Sequence, residues 1–220
     1  MIPNDVWTRL SKGRQIVFYD QRGTGKSSRL QTVADLEAVR AKFGFQKFNL
    51  VGDSYGGFLA MAYAAAHPEH IEKLILSDSA ALAMKNIVRV LPQVFPDMTE
   101  RSADPQEQIP HHFHMLFYSE EKRDAYLAGA KDLGYNPQVG AAVGRSASKL
   151  DLTGQLPKFS FSTLVVTGRY DMNVAPVNAW NIYKTIPGAK LVIFAKSGHL
   201  PSYEEPDKYV EVVDAFLSGR

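Results

Sequence analysis

The chain has 220 residues, 45% of them hydrophobic and 22% charged, with 25 basic against 23 acidic side chains and a formal net charge of +2. That composition is globular and excludes a disordered chain, a coiled coil and a collagen-like fibre. The near balance of charge gives no electrostatic case for nucleic acid or a membrane surface, and the lack of cysteine excludes a disulfide framework, a thiolate metal site and a cysteine nucleophile.

In chain order, residues 5–12 read as a short helix, with Asn4 as its cap and Gly13 as its stop. Residues 15–19 are an apolar run ended by Asp20-Gln21-Arg22-Gly23, which predicts a buried strand. Residues 32–43 predict a helix: Thr32 can cap it, Asp35 suits its first turn, Leu36, Val39 and Phe43 share a face, and Gly44 ends it. A strand over 47–51, an Ala-rich helix over 55–67 stopped by Pro68, and a strand over 73–77 follow. Between about residues 81 and 157 the rhythm breaks into short helices punctuated by Pro105, Pro110 and Pro137. It resumes with strand 163–167, helix 177–185, strand 190–194 and helix 207–217. Strand–helix alternation predicts an α/β fold, a mostly parallel sheet flanked by helices with right-handed crossovers. The expected organisation is a core of residues 1–80 and 158–220 interrupted by a helical cap, or lid, over 81–157. Residues 1–5 have neither the basic nor the apolar region of a secretory leader, and no apolar run approaches the roughly 18 residues of a membrane span. The expected location is therefore cytoplasmic.

Gly52-Asp53-Ser54-Tyr55-Gly56 follows one apolar strand directly and opens a helix directly. Gly-x-Ser-x-Gly in that setting is a nucleophile elbow. The strand-to-helix turn is tight, so small residues are expected at both Gly52 and Gly56. The turn lifts the Ser54 hydroxyl above the sheet edge and aims the Tyr55 N–H at any oxyanion formed there. A serine hydroxyl needs a base near neutral pH. His199, in Ser197-Gly198-His199-Leu200-Pro201 after strand 190–194, is the candidate. The base needs an acid to fix its tautomer, and Asp171, in Gly168-Arg169-Tyr170-Asp171 after strand 163–167, is that candidate. All three follow the carboxyl ends of expected parallel strands, where such sheets place their sites.

These stretches, together with Val17-Phe18-Tyr19-Asp20-Gln21-Arg22-Gly23-Thr24-Gly25-Lys26-Ser27, resemble the α/β-hydrolase superfamily and within it the proline iminopeptidase-like branch. The resemblance covers nearly all of the chain outside the insertion. It implies Ser54 as nucleophile, Asp171 as acid and His199 as base, with no cofactor and no metal. Serine rather than aspartate at position 54 argues against the dehalogenase and epoxide hydrolase relatives. The implied activity is a serine hydrolase, an esterase or aminopeptidase, acting through an acyl-enzyme on a small carboxylic ester, a lactone or an N-terminal prolyl amide. The alternative is a catalytically weak or inactive hydrolase-fold protein that binds a small molecule or a protein partner.

The resemblance is incomplete at the start of the chain. Five strands are counted, fewer than the family has, and no Gly-rich His-Gly-Gly-Pro-Gly loop supplies a second oxyanion donor. An N-terminally shortened fold is therefore expected, with backbone groups near residues 1–4 as substitute donors. The sheet then has two repairs open to it: strand 15–19 moves in beside 47–51, or a second copy pairs with the exposed edge in a homodimer.

Other motifs carry less. Gly25-Lys26-Ser27 resembles the end of a P-loop, but position 20 is Asp where that motif needs Gly. His111, His112 and His114 lack a carboxylate at ligand spacing and read as insertion surface. Phe113, Met115, Phe117 and Tyr118 either line a substrate pocket under the cap or pack the cap onto the sheet. Residues 119–124 read as a solvated helix face; by resemblance to the aminopeptidases, Glu120 or Glu121 is a candidate to hold a substrate amine.

Overall fold

Four apolar runs form one parallel sheet in chain order: β1 Phe48–Asp53, β2 Ile71–Ser77, β3 Ser162–Gly168 and β4 Lys190–Phe194. The structure is a computed structural model and describes residues 5–18, 33–80, 82–88, 90, 116–129, 145, 148 and 150–220. The helices are α1 Asp5–Leu10, α2 Val33–Phe43, α3 Tyr55–Ala66, α4 Glu120–Gly129, α5 Pro176–Thr185, the single turn α6 Pro201–Glu204, and α7 Pro206–Ser218. Short 3-10 turns occupy Pro68–His70, Met84–Asn86 and Leu156–Lys158.

The sheet is buried on both faces, as a parallel sheet under crossover helices must be. The period-two alternation of a strand splits its side chains between two cores. Leu74, Leu76 and Val165 pack with Leu50, Phe58, Met61, Tyr63 and Ile182 on one face. Ile75, Leu164 and Val166 pack with Val6, Leu10, Phe194, Tyr209, Val213 and Phe216 on the other. Each such side chain removed from water contributes roughly 1.5–3 kcal/mol before entropy is charged against it. Register follows: Leu50 lies beside Leu74, Ile75 beside Leu164, and Val165 beside Leu191. Helix α3 has no polar face over residues 57–64, all of them buried, so it fills the first core rather than flanking it. Arg14 to Asp214 (2.7 Å) and Arg9 to Asp207 (2.8 Å) link the α1 region to α7.

Two expectations are corrected. Residues 15–18 are irregular rather than strand. Among the described residues β1 pairs with β2 alone, and segment 15–18 pairs with no strand. Ile16 instead leans on the second core, and Phe18, 59% exposed, meets the Trp7 ring edge-on. Phe43 leaves the buried face of α2; it is 45% exposed and stacks on Phe45 instead. The Asn4 and Thr32 caps, the residue 20–27 motif and the histidines at 111, 112 and 114 lie outside the described residues. Among the described residues no helix is long and apolar enough to cross a membrane.

Candidate active site

Ser54 is the single residue between β1 and α3. Its backbone has φ 52° and ψ −119°, a region that costs a non-glycine residue about 1–3 kcal/mol. The turn is held from both sides. The Ser54 N–H donates to Ser77 O at 2.9 Å, and the Ser54 carbonyl accepts Gly57 N–H at 3.1 Å and Ala80 N–H at 3.2 Å. Serine at a helix start ordinarily caps it, yet the Ser54 side chain makes no capping bond. The hydroxyl is thus left for other work at the carboxyl edge of the sheet. Tyr55 is the first residue of α3, so its N–H has no acceptor inside the helix.

The glycine requirement falls differently from the motif. A Cβ on Gly52 would sit 2.4 Å from Gly56 O and 2.6 Å from Gly57 Cα, all of it backbone. A Cβ on Gly57 would meet Ser79 Oγ at 1.8 Å. A Cβ on Gly56 meets nothing within 4 Å among the described residues. The expectation that the motif's second glycine is sterically required is therefore corrected: Gly52 presses on the first turn of α3, and Gly57 packs against Ser79, two residues past β2.

Asp171 and His199 come together as expected. His199 Nδ1 lies 2.6 Å from Asp171 Oδ2, with side chains 7% and 0% exposed. A carboxylate accepts, so Nδ1–H donates and, in the neutral ring, Nε2 is left as the acceptor nitrogen. The other Asp171 oxygen accepts Asn173 N–H at 2.9 Å and Val174 N–H at 2.8 Å. Asp171 is both a turn cap and a partner for the imidazole. Burial opposes ionisation of His199, but the Asp171 charge and hydrogen bond, with Asp78 and Asp53 behind them, raise it from 6.5 to about 9. The His199 loop is wedged in place: a Cβ on Gly168 would sit 1.9 Å from Gly198 O, and one on Gly198 would sit 2.5 Å from Leu116 O. The His199 N–H donates to Leu116 O at 2.7 Å. Among the described residues no hydrogen bond joins Ser54 Oγ to the His199 ring; free enzymes commonly hold that contact long.

Two further carboxyls surround the pair, and sequence reasoning passed over both. Asp78 is 1% exposed, has φ 44°, and accepts Gly168 N–H at 2.9 Å on Oδ1 and the Ser77 hydroxyl at 3.2 Å on Oδ2. Burial first, then the Asp171 charge, pushes its proton affinity well above the usual carboxyl range. Burial also raises Asp53, which His199 pulls back. The signal for Asp78 was present: like Asp171, it directly follows an apolar strand.

Two clusters have ligand atoms within 4.8 Å of one another: Asp78 with Asp171 and His199, and Glu37 with His67 and His70. The first holds the bonds just described; in the second, Arg40 and the Tyr63 hydroxyl grip the Glu37 carboxylate.

The chain either side of residues 84–150 is tied together: Ala83 bridges Asp151, and Leu152 N–H donates to Leu82 O at 2.9 Å. Phe117 is buried against Tyr126 and Tyr203, whereas Tyr118 is 46% exposed and its ring meets that of Tyr170 at a tilt, centroids 4.6 Å apart, next to Asp171. Glu120 and Glu121 open α4 and are exposed. Phe113 and Met115 lie outside the described residues.

With this geometry in hand, the likenesses fall into one pattern. The sequence pattern of the alpha/beta hydrolase fold matches residues 5–206. A proline iminopeptidase of Saccharolobus solfataricus is 30% identical over 241 aligned positions, covering 93% of this chain and 76% of that protein. A proline iminopeptidase of Lactobacillus delbrueckii subsp. bulgaricus is 28% identical, covering 93% and 80%. Among solved structures, an esterase from Rhodococcus sp. ECU1013 superimposes with a TM-score of 0.79 at 21% identity, covering 98% of this chain and 84% of that one.

Proposed function

The chain belongs to the alpha/beta hydrolase fold family, and from that premise we propose that it is a serine hydrolase with Ser54 as nucleophile, His199 as base and Asp171 as the acid that orients it. One observation carries the reading: the buried 2.6 Å His199–Asp171 contact stands at the same sheet edge as a strained serine whose hydroxyl does not cap its helix.

In the proposed reaction Ser54 Oγ attacks a carbonyl carbon while His199 Nε2 takes the hydroxyl proton. Asp171 stabilises the imidazolium. The Tyr55 N–H, at the positive end of α3, donates to the developing oxyanion. The bond to the leaving group breaks, and His199 gives that group its proton. Water then attacks the acyl-enzyme, His199 takes its proton and returns one to Ser54, and the acid departs.

The substrate is a small molecule or short peptide bearing a carboxylic ester, a lactone or an N-terminal prolyl amide. The two iminopeptidase relatives support the prolyl amide, and the esterase neighbour supports only the fold that such chemistry uses. We assign segment 81–157 as a cap over the site, supported by the bridge between Ala83 and Asp151.

The test is labelling with a fluorophosphonate probe and mass mapping, on wild type and Ser54→Ala. Rapid labelling at Ser54, absent from the variant, is expected. A prolyl p-nitroanilide and a p-nitrophenyl ester panel then ranks the substrates. A folded wild type that stays unlabelled overturns the enzyme reading in favour of a binding role.

A further inference from the structure

Glu204, the last residue of α6, is 2% exposed yet carries a carboxylate. Three backbone N–H groups from two segments, one of them remote in sequence, converge on it. Oε2 accepts Gly198 N–H at 2.6 Å; Oε1 accepts Tyr118 N–H and Ser119 N–H, each at 2.9 Å. The Lys122 ammonium adds a further tie from the same segment by donating to the Glu204 backbone carbonyl. Gly198 immediately precedes His199, and residues 118–119 belong to the segment entering α4.

The two segments also touch directly. The His199 N–H donates to Leu116 O at 2.7 Å. The approach is so close that a Cβ on Gly198 would lie 2.8 Å from Leu116 C and 3.0 Å from Phe117 Cα. The neighbouring carboxylate has a narrower duty: Glu205 Oε2 accepts Lys196 N–H at 2.8 Å and the Ser197 hydroxyl at 2.7 Å, both on the histidine loop. Of these two carboxylates, Glu204 is the one that bonds both segments.

Chemistry explains why a carboxylate stands here. Ionised, it has two oxygens and about four acceptor sites and no donor, so it can accept three N–H groups at once. Charge-assisted bonds of this kind are about twice as strong as neutral ones. An amide would turn an N–H₂ group against at least one of the same donors. Buried backbone donors left without an acceptor are costly, so removing the carboxylate releases both segments together.

We infer that Glu204 is a positioning residue: its carboxylate locks the His199 loop and the 116–119 segment into one unit, holding the imidazole on Asp171 and Tyr118 beside Tyr170. This rests on the serine-hydrolase reading for its consequence in activity, though not for its geometry. Glu204 touches no reacting atom; it acts through Gly198 and Leu116.

The test compares wild type with Glu204→Gln and Glu204→Asp, first confirming the fold by thermal melting. The proton NMR signal of the His199 Nδ1–H is expected far downfield in wild type and lost or broadened in Glu204→Gln. Fluorophosphonate labelling of Ser54 is expected to slow by roughly 10²-fold, as for other displacements of about 1 Å in a reacting group. On a turned-over ester, kcat falls more than KM rises. Glu204→Asp, with the charge kept one methylene short, is expected to lie between the two. A folded Glu204→Gln that keeps both the downfield signal and the wild-type labelling rate overturns the inference. Amide hydrogen exchange in wild type is a further check that needs no variant: protection at Gly198, Tyr118 and Ser119 is expected, and exchange at the rate of open loops overturns it. A wild type that is never labelled but shows the downfield signal and its loss in Glu204→Gln defeats the hydrolase reading and leaves the positioning role standing.

Discussion

His199 Nδ1 and Asp171 Oδ2 stand 2.6 Å apart with neither side chain open to solvent beyond 7%. Burial alone would lower the proton affinity of the imidazole, but the Asp171 charge and hydrogen bond, with Asp78 and Asp53, outweigh it and carry His199 from 6.5 to about 9. A base works in its neutral form. The expected kcat/KM therefore climbs with pH and levels near 9. Stability runs the other way. A raised pKa contributes stability fully below the unfolded value of 6.5, and that contribution is lost as pH rises through 9. The loss is on the order of 3 kcal/mol. In Asp171→Asn the rise moves to lower pH and activity falls by about 10⁴-fold. A pH–rate profile with melting curves at matched pH checks both limbs; a rate plateau already complete at pH 6 contradicts the assignment.

Asp78 poses the complementary case, because two carboxyls face one imidazole. Burial, then the Asp171 charge, raises the proton affinity of Asp78 well above the usual carboxyl range, and the imidazole is bonded to Asp171. Asparagine keeps the shape of the aspartic side chain and retains an oxygen for the Gly168 N–H. Asp78→Asn is therefore expected to keep kcat/KM within about tenfold of wild type, against the roughly 10⁴-fold loss for Asp171→Asn. Steady-state kinetics on one ester substrate decides it. Equal losses from the two variants would make Asp78 the charged partner.

How far these features were legible in the sequence depended on how local their causes are. Ser54, Asp171 and His199 each follow an apolar strand within three residues of a glycine, and those strands appear where alternation placed them. Segment 15–18 has the composition of a strand, but a strand exists only where a ladder accepts it, and that is a tertiary fact. Gly52 and Gly56 look equivalent in the motif; only the packing of β1 on the first turn of α3 distinguishes them. Glu204 was invisible for the same reason. Its partners Tyr118 and Ser119 lie 86 and 85 residues away, and nothing in Pro201-Ser202-Tyr203-Glu204 marks one carboxylate as buried.

That difference between the glycines is measurable. In Gly52→Ala the new methyl would meet backbone at 2.4 Å, and backbone has no rotamer to escape into. A loss of at least about 2 kcal/mol is expected. In Gly56→Ala the methyl enters open space among the described residues, inside α3. Alanine is the better helix former, so this variant is expected within about 1 kcal/mol of wild type, on the stabilising side. Urea melts of the two variants test the pair. Comparable destabilisation would restore a steric role to the motif's second glycine.

Tyr63, Glu37 and Arg40 tie α2 to α3 away from the site. The Tyr63 hydroxyl, on a side chain with no exposure, donates to Glu37 Oε2 at 2.6 Å, and Arg40 Nε and Nη2 reach the same carboxylate at 2.9 and 2.7 Å. The Arg40 bonds first, then the Tyr63 bond, hold Glu37 down at about 2 from 4.5. A depressed carboxyl contributes stability above its unfolded value, so this contribution is complete above pH 4.5 and lost as pH falls through 2. Tyr63→Phe keeps the ring against Phe48 and removes only the hydroxyl. The expected cost is about 1–2 kcal/mol at pH 7. It should shrink in acid as Glu37 gains its proton and the charge-assisted part of the bond disappears. Urea melts of wild type and Tyr63→Phe at pH 7 and near pH 2 measure the difference. A cost that is the same at both pH values would place the effect in packing around the ring rather than in the Glu37 contact.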